Sequence, residues 1–380
     1  MSETPLRACY HPPVKILVAL SGGIDSSTVA HLLKKEGHEL VGVRFTLWSD
    51  PLAPALAQVL PSKCCNAQTA MRAKATADAL DIPYKIVDLE KEFFDNVVDP
   101  FLKGYAEGRT PNPCIGCNRS IKFGKLLELA DELGCERIAT GHYARVAKEE
   151  LADGTARHLL LEAVDVTKDQ SYYLYGLTQA QLSRVLFPLG GMRKQDVFAL
   201  AQSFGVPYDD VSYTESMDLC FFPEKTPDAF LKRHLESAMR PGNIVRRDGT
   251  VVGTHNGIPL YTVGQRRGLG IGGLKIPLEI VEKRSASNEI VVEPKETERV
   301  SSIELSDVRF VSWKPVENDE TPFECRVRSL SQRIRGSLRV TGSTGRFSFE
   351  TPVSPLAPGQ SLVLYRGEEI VGGGVMERPL

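Results

Sequence analysis

The 380-residue chain predicts a doubly wound α/β domain, then a small β-rich domain, then a terminal β-barrel. Over the first 210 residues, short β-branched runs alternate with helical stretches of about three turns, the pattern of βα units and so of a parallel sheet covered on both faces. From about residue 211 the rhythm breaks into short strands punctuated by glycine, and beyond about 296 only strands remain, spaced as in all-β barrels. One hydrophobic core does not organise a chain this long, so the expected domains are 1–210, 211–295 and 296–380.

The elements follow in order. VKILVAL (14–20) is a strand, a helix runs from about Ser26 to Lys35, and ELVGVRF (39–45) is the second strand. A helix near 67–80 precedes PYKIVDL (83–89), and helices near 90–107 and 120–133 lead into RIATGHY (137–143). A helix near 226–238 opens the middle domain, whose strands lie in NIVRRDGTVVG and IPLYTVGQRRGLGIGG. IELSDVRFV, FECRVRSL, IRGSLRV, GRFSFE, SLVLYRG and EIVGGGVM then supply the barrel. We see no internal repeat and no low-complexity tract.

Composition narrows the function classes. No apolar run approaches the roughly 18 to 20 residues of a membrane span, and the opening MSETPLRACYHPP has no secretory pattern, reading as a short leader. Eight cysteines are too few for a disulfide scaffold at this length; their clustering points to metal or redox work in a reducing compartment, the cytoplasm. A formal net charge of -2 excludes a protein that coats nucleic acid through global charge but leaves room for a local basic surface.

The first chemical motif is Ser21-Gly22-Gly23-Ile24-Asp25-Ser26-Ser27, directly after the first strand and opening the first helix. Two glycines let the backbone turn and approach a phosphate, while helix-start N–H groups and serine hydroxyls can hold its oxygens. A glycine turn that merely caps a helix is the alternative; the preceding strand, Asp25 and the paired serines favour the anion cradle. The loop has neither the lysine of a Walker A motif nor the dinucleotide spacing. It resembles the SGGxDS pyrophosphatase loop of enzymes that form adenylates from ATP. That resemblance implies ATP held by Ala19, Leu20, Ser21, Gly22, Gly23, Ile24, Asp25 and Ser26, with Mg²⁺ as counter-charge and Phe45 and Gly141 bordering the adenosine. His142, beside Gly141, reads as a satisfied polar residue.

The second motif is Gly108-Arg109-Thr110-Pro111-Asn112-Pro113-Cys114-Ile115-Gly116-Cys117-Asn118, followed by Ser120-Ile121-Lys122-Phe123-Gly124. Prolines stiffen the loop, and a helix start lowers a thiol pKa, which favours a thiolate at Cys117. Alone, C-x-x-C fits a reactive sulfur site, half a structural zinc site or a dithiol redox pair. GRTPNPxxxCN, IKFG, ATGHYAR, KDQSYYLYGL, DLCF and GQRRGLGIGG occur in this order after the phosphate loop. Together they resemble the tRNA-specific 2-thiouridylases, closely through about residue 290 and more weakly beyond. The resemblance implies ATP-dependent conversion of the tRNA wobble uridine to 2-thiouridine, with Cys117 as the nucleophile position and Cys220 as the persulfide position. It implies tRNA contacts from Lys168, Asp169 and Gln170, tRNAs for lysine, glutamate and glutamine, and a sulfur donor such as a cysteine desulfurase or a sulfur-relay protein.

Cys114 stands where many members of that family carry an aspartate, and cysteine cannot inherit an acid–base role directly. Cys114, Cys117 and Cys220 are therefore also candidate ligands of a 4Fe-4S cluster with an open corner for sulfide. The other branch is a Cys220 persulfide whose intermediate is resolved by Cys117, leaving a Cys117–Cys220 disulfide. Cys64 and Cys65 read first as buried thiols, with a fourth ligand, zinc ligands or another auxiliary role as the alternatives, and Cys9, Cys135 and Cys325 as incidental.

Between Cys325 and Arg346 lie six arginines (326, 328, 333, 335, 339 and 346) and no acid. Strand alternation predicts Arg326 with Arg328, and Arg333 with Arg335, on shared faces suited to an RNA backbone, against the alternative of solvated strand faces. From this row we take Arg328 and Arg333 as tRNA-binding candidates, and Asn112 and Pro113 as the wall of a pocket for a flipped base. The rival readings are another pyrophosphatase-loop ligase or amidotransferase, which needs neither Cys117 nor Cys220, and a metal-bound tRNA-binding protein with a decayed loop.

Overall fold

The computed structural model describes residues 13–54, 67–206, 219–272, 276–295 and 297–379. Cys9, Cys64, Cys65 and the expected boundary at 210 lie outside them. In chain order the first strands are β1 (Lys15–Ala19), β2 (Glu39–Thr46), β3 (Tyr84–Asp88), β4 (Arg137–Ala139), the hairpin β5 (Arg145–Glu150) and β6 (Ala156–Leu161), and β7 (Val185–Leu186). Five of them form a parallel sheet in the order β3-β2-β1-β4-β7. Ile16, Leu17 and Val18 are fully buried because helices cover both faces, which is why this strand reads as an unbroken apolar run. The strand order reverses between β1 and β4, so a crevice opens outside their carboxyl ends, and the loops at 21–23 and 140–142 line it.

Two helices are less regular than the sequence predicts, and one of them starts earlier. The helical stretch from 90 to 106 contains a π turn at Phe94–Val98, and the one predicted from 120 starts at Pro113 and is π-helical from Cys117 to Lys125. Wide turns of this kind occur often at functional sites.

The middle domain has β8 (Gly242–Val245), β9 (Val251–His255), β10 (Leu278–Arg284) and β11 (Glu289–Pro294) in one sheet, ordered β10-β11-β8-β9. The terminal domain has β12 (Val300–Phe310), β13 (Thr321–Arg326), β14 (Ile334–Thr341), β15 (Thr344–Val353), β16 (Ser361–Arg366) and β17 (Glu369–Pro379). These six close into a barrel through the β12–β17 pairing, around Phe347, Leu338, Leu362 and Leu364. Cys325 is part of that core and Cys135 part of the α/β core; burial raises both thiol pKa values.

One feature was not anticipated. The β5–β6 hairpin belongs by sequence to the α/β domain but adds to the barrel sheet, β6 pairing with β17 at Leu161↔Glu369 and Leu160↔Ile370. Among the described residues no helix is long and apolar enough to cross a membrane.

Candidate active site

The phosphate loop is shaped from below. Gly22 has φ +80°, and a Cβ there would stand 1.9 Å from the Thr69 carbonyl oxygen, so only glycine fits. Arg44, buried in β2, fastens the loop by donating to the Ser21 carbonyl at 2.8 Å and to Thr69 Oγ1 at 2.9 Å. Ser26 Oγ donates to the Gly23 carbonyl and lies 3.1 Å from Ser21 Oγ, while Ser27 Oγ is 3.0 Å from Thr76 Oγ1. Ser21 is exposed and Asp25 half-buried, in the loop that lines the crevice. Gly141 closes the other wall: a Cβ there would meet Asp25 Cβ at 3.0 Å and Ser26 N at 3.1 Å.

Asp25 is not an isolated acid. Tyr143 donates its hydroxyl to Asp25 Oδ1 at 2.9 Å, and Lys194 Nζ lies 2.7 and 2.8 Å from the two carboxylate oxygens. His142, one residue from Gly141, is turned into the protein against Phe123 and Phe187, with Nδ1 2.9 Å from Thr140 Oγ1. Burial, with help from the Lys122 charge, pushes its pKa well below the usual histidine value, so it is neutral.

The cysteine loop is clamped by all three domains. The Thr110 N–H donates to the Pro358 carbonyl, Gln360 Nε2 to the Thr110 carbonyl, Arg109 to Glu377 at 2.8 Å, and Ser285 Oγ to the Glu107 carbonyl. Asn112 caps the next helix by accepting from the Cys114 N–H at 3.2 Å. The cap corrects one expectation: Cys114, not Cys117, occupies the first turn, and the terminal dipole fades beyond that turn. Cys117 is buried among Phe93, Phe101, Phe221, Phe222 and Phe230, and Leu219 and Cys220 pack on the same cluster. The two thiol-bearing segments therefore share one apolar wall.

The Cys220 segment is anchored through the helix Asp228–His234. Arg233 Nε and His234 Nε2 reach the buried Asp50, just past β2, at 3.0 and 2.7 Å. Burial would lift the Asp50 carboxyl, but the Arg233 and His234 hydrogen bonds overcome it and hold its pKa below the usual range. Among the described residues no three His, Cys, Asp or Glu side chains are gathered as a metal site. Cys114, Cys117 and Cys220 are thus not gathered around a single ion.

The arginine row also differs from the expectation. Arg326 pairs with the buried Glu162 at 3.0 Å, Arg333 bonds Glu162, Glu324 and the Gly367 carbonyl, and both guanidinium groups stack on Tyr365. Arg335 and Arg339 face Glu324 and Glu320 at 3.9 and 3.3 Å. The acids come from neighbouring strands and from the end of the β5–β6 hairpin, so a count along 325–346 cannot see them. β13 ends at Arg326, so alternation does not extend to Arg328. Arg328 is exposed, makes no ion pair among the described residues, and faces Gly264 of the middle domain.

In the Lys168-Asp169-Gln170 segment, Asp169 points inward, accepting from the Ala163 and Ser171 N–H groups and the Ser171 hydroxyl. Burial raises its pKa, as it does that of Glu162 despite the arginines. Gln170 Oε1 accepts from the Tyr143 N–H at 3.0 Å. Both side chains position the segment from inside. Sequence reasoning missed Arg44, Asp50, Glu162 and Lys194; only Arg44 carried a signal, as a charge within an otherwise apolar strand.

A parallel sheet with a glycine loop at its switch point, joined to a thiol site held by two β-domains, defines a nucleotide-dependent enzyme of sulfur chemistry. Family profiles described as tRNA methyl transferase HUP domain, tRNA methyl transferase PRC-barrel domain and aminomethyltransferase beta-barrel domain match residues 14–224, 228–294 and 300–376. The tRNA-specific 2-thiouridylase MnmA 1 of Caldanaerobacter subterraneus subsp. tengcongensis is 39% identical over 96% of this chain and 98% of its own. Those of Geobacter metallireducens and Chloroflexus aurantiacus are each 40% identical, over 95% and 96% of this chain and 96% and 98% of their own. The chain belongs to the tRNA-specific 2-thiouridylase family.

Proposed function

We propose that this chain thiolates the wobble uridine of tRNA at C2 at the expense of ATP. The observation that carries this reading is the joint presence of an anion cradle at the sheet's switch point and two thiol segments, Cys117 and Cys220, on one apolar wall. A ligase or amidotransferase would have no use for the second feature. The profile descriptions speak of methyl transfer, but the thiols and the full-length relatives favour sulfur.

A uridine oxygen is a poor leaving group, so the first step attaches it to phosphorus. The C2 oxygen attacks the α-phosphorus of ATP, pyrophosphate leaves, and the ring loses its N3 proton. Ser21, Ser26 and the loop N–H groups hold the phosphates, and Phe45 and Gly141 border the adenosine. Mg²⁺ would accompany the phosphates and supply counter-charge, since both Asp25 oxygens are already engaged by Lys194.

Sulfur then replaces the oxygen. Cys220, loaded by a sulfur donor such as a cysteine desulfurase or a relay protein, attacks C2 with its terminal sulfur, and AMP leaves with the former C2 oxygen. The Cys117 thiol attacks Sγ of Cys220, the C2 sulfur departs with the electron pair of the S–S bond, and the proton the thiol gives up is made good at N3. A Cys117–Cys220 disulfide remains, which a dithiol reopens. We take the persulfide route because Cys117 and Cys220, the two thiols it needs, lie on one apolar wall.

Asn112 and Pro113 flank the base, and Lys168 and Arg328 contact the RNA; Arg333, Asp169 and Gln170 act by holding those surfaces. The tRNAs are those for lysine, glutamate and glutamine, and the site of action is the cytoplasm. The test is incubation of purified chain with ATP, tRNA and a persulfide donor, followed by nucleoside mass spectrometry and AMP assay. Formation of 2-thiouridine with one AMP per modified base is expected. AMP formation on a small carbonyl substrate, undiminished in Cys117→Ser and Cys220→Ser, would instead identify a ligase.

A further inference from the structure

The phosphate loop contains hydroxyls, N–H groups and an acid, but no cation, although its ligand is a polyanion. Arg44 is committed beneath the loop to the Ser21 carbonyl and Thr69. The cation that reaches the loop's own acid comes from Lys194, 169 positions from Asp25 and the first residue of the helix Lys194–Ser203.

We propose that Lys194 is a positioning residue of the nucleotide site, neutralising Asp25 so that the loop accepts a polyphosphate. It rests on the reading of this loop as the ATP site. Lys194 is 6% exposed, and its ammonium grips both Asp25 oxygens, at 2.7 and 2.8 Å. The group is walled by the rings of Phe198 and Tyr143, with centroids 5.0 and 5.4 Å away, a setting that favours a cation. Its backbone N–H is fixed by Asp165 Oδ2 at 3.0 Å, and Tyr143 adds its hydroxyl to Asp25. The ammonium is thus buried, while the carboxylate it grips, in the loop that lines the crevice, remains 28% exposed. An unneutralised acid here would repel the phosphates that the loop N–H groups attract.

The experiment is calorimetric titration of the full chain, without tRNA, with Mg²⁺ and α,β-methylene ATP, whose bridge cannot release pyrophosphate. Lys194→Met is expected to weaken binding about tenfold or more, and Lys194→Arg to keep most of it. Because the lysine acts through Asp25, Asp25→Asn/Lys194→Met should bind no more weakly than Lys194→Met alone. Binding of Lys194→Met within twofold of wild type, or losses of Asp25→Asn and Lys194→Met that multiply in the double variant, would overturn the proposal. Should Lys194→Met not fold, the arginine variant decides, since a tenfold loss there shows that charge is not what matters. A wild type that binds no nucleotide would sink the ATP reading itself.

Discussion

The phosphate loop and the sulfur site occupy one molecule but are built in opposite ways. The first is contiguous: Ser21 to Ser27 carries the turn, the hydroxyls and the helix start, and the rest of the domain supports it through Arg44 and Lys194. The second is composite. Cys117 sits inside a π-helical turn, Cys220 arrives on a separate segment pinned by Asp50, and the Cys117 loop is clamped by Pro358, Gln360 and Ser285 from the other two domains. The first needs only its own domain around it, whereas the composite site depends on packing between domains.

That contrast can be broken at several points. Cys117→Ser and Cys220→Ser should each lower tRNA thiolation by about a thousandfold or more while leaving binding of α,β-methylene ATP unchanged. Coupled loss of nucleotide binding would mean that the two sites are not separable. Gly22→Ala should do the reverse. Its Cβ would collide with the Thr69 carbonyl at positive φ, and strain of about 3 kcal/mol corresponds to roughly a hundredfold weaker nucleotide binding. Persulfide loading of Cys220, followed by mass spectrometry, should persist in that variant.

Two further variants sharpen the dependence on packing. Glu162→Ala leaves Arg326 and Arg333 without their shared buried acid and should cost about 3 kcal/mol in the unfolding of the barrel, read by calorimetry and denaturant melts. A melt unchanged from wild type would show the hairpin junction to be dispensable. The smallest effect concerns His142. Its folded pKa is pushed well below 6.5 by burial, so below pH 6.5 the unfolded chain binds a proton that the folded chain resists. Stability should therefore fall by about 1 kcal/mol per pH unit as pH drops from 6.5, and His142→Gln should remove that slope.

The same contrast explains what could be read from the sequence. The α/β order, the glycine loop and the three-part architecture follow from local periodicity and were legible. The cysteine loop is legible as a motif for the same reason, but the wall that Cys117 shares with Cys220 is not, since the two lie on separate segments. The Lys194–Asp25 pair spans 169 positions, and no feature near Lys194 marks it. The arginine row misled for a related reason: its counter-charges, Glu162 above all, come from a hairpin far upstream. The helix containing Cys117 starts seven residues before the expected 120, because a proline such as Pro113, which reads as a loop residue, is well tolerated at the first helical position.

The hairpin β5–β6 also bears on synthesis. Leu161 meets Glu369, 208 residues further along the chain, so at roughly 5 to 20 residues per second the hairpin waits roughly 10 to 40 s on the ribosome for its barrel partner. During that interval the strand edge of β6 is unpaired, a template for wrong association. Its companion strand, Arg145–Glu150, carries Lys148, Glu149 and Glu150, charges that make the far edge a poor surface for another chain to join. The nascent chain is therefore exposed along one edge only.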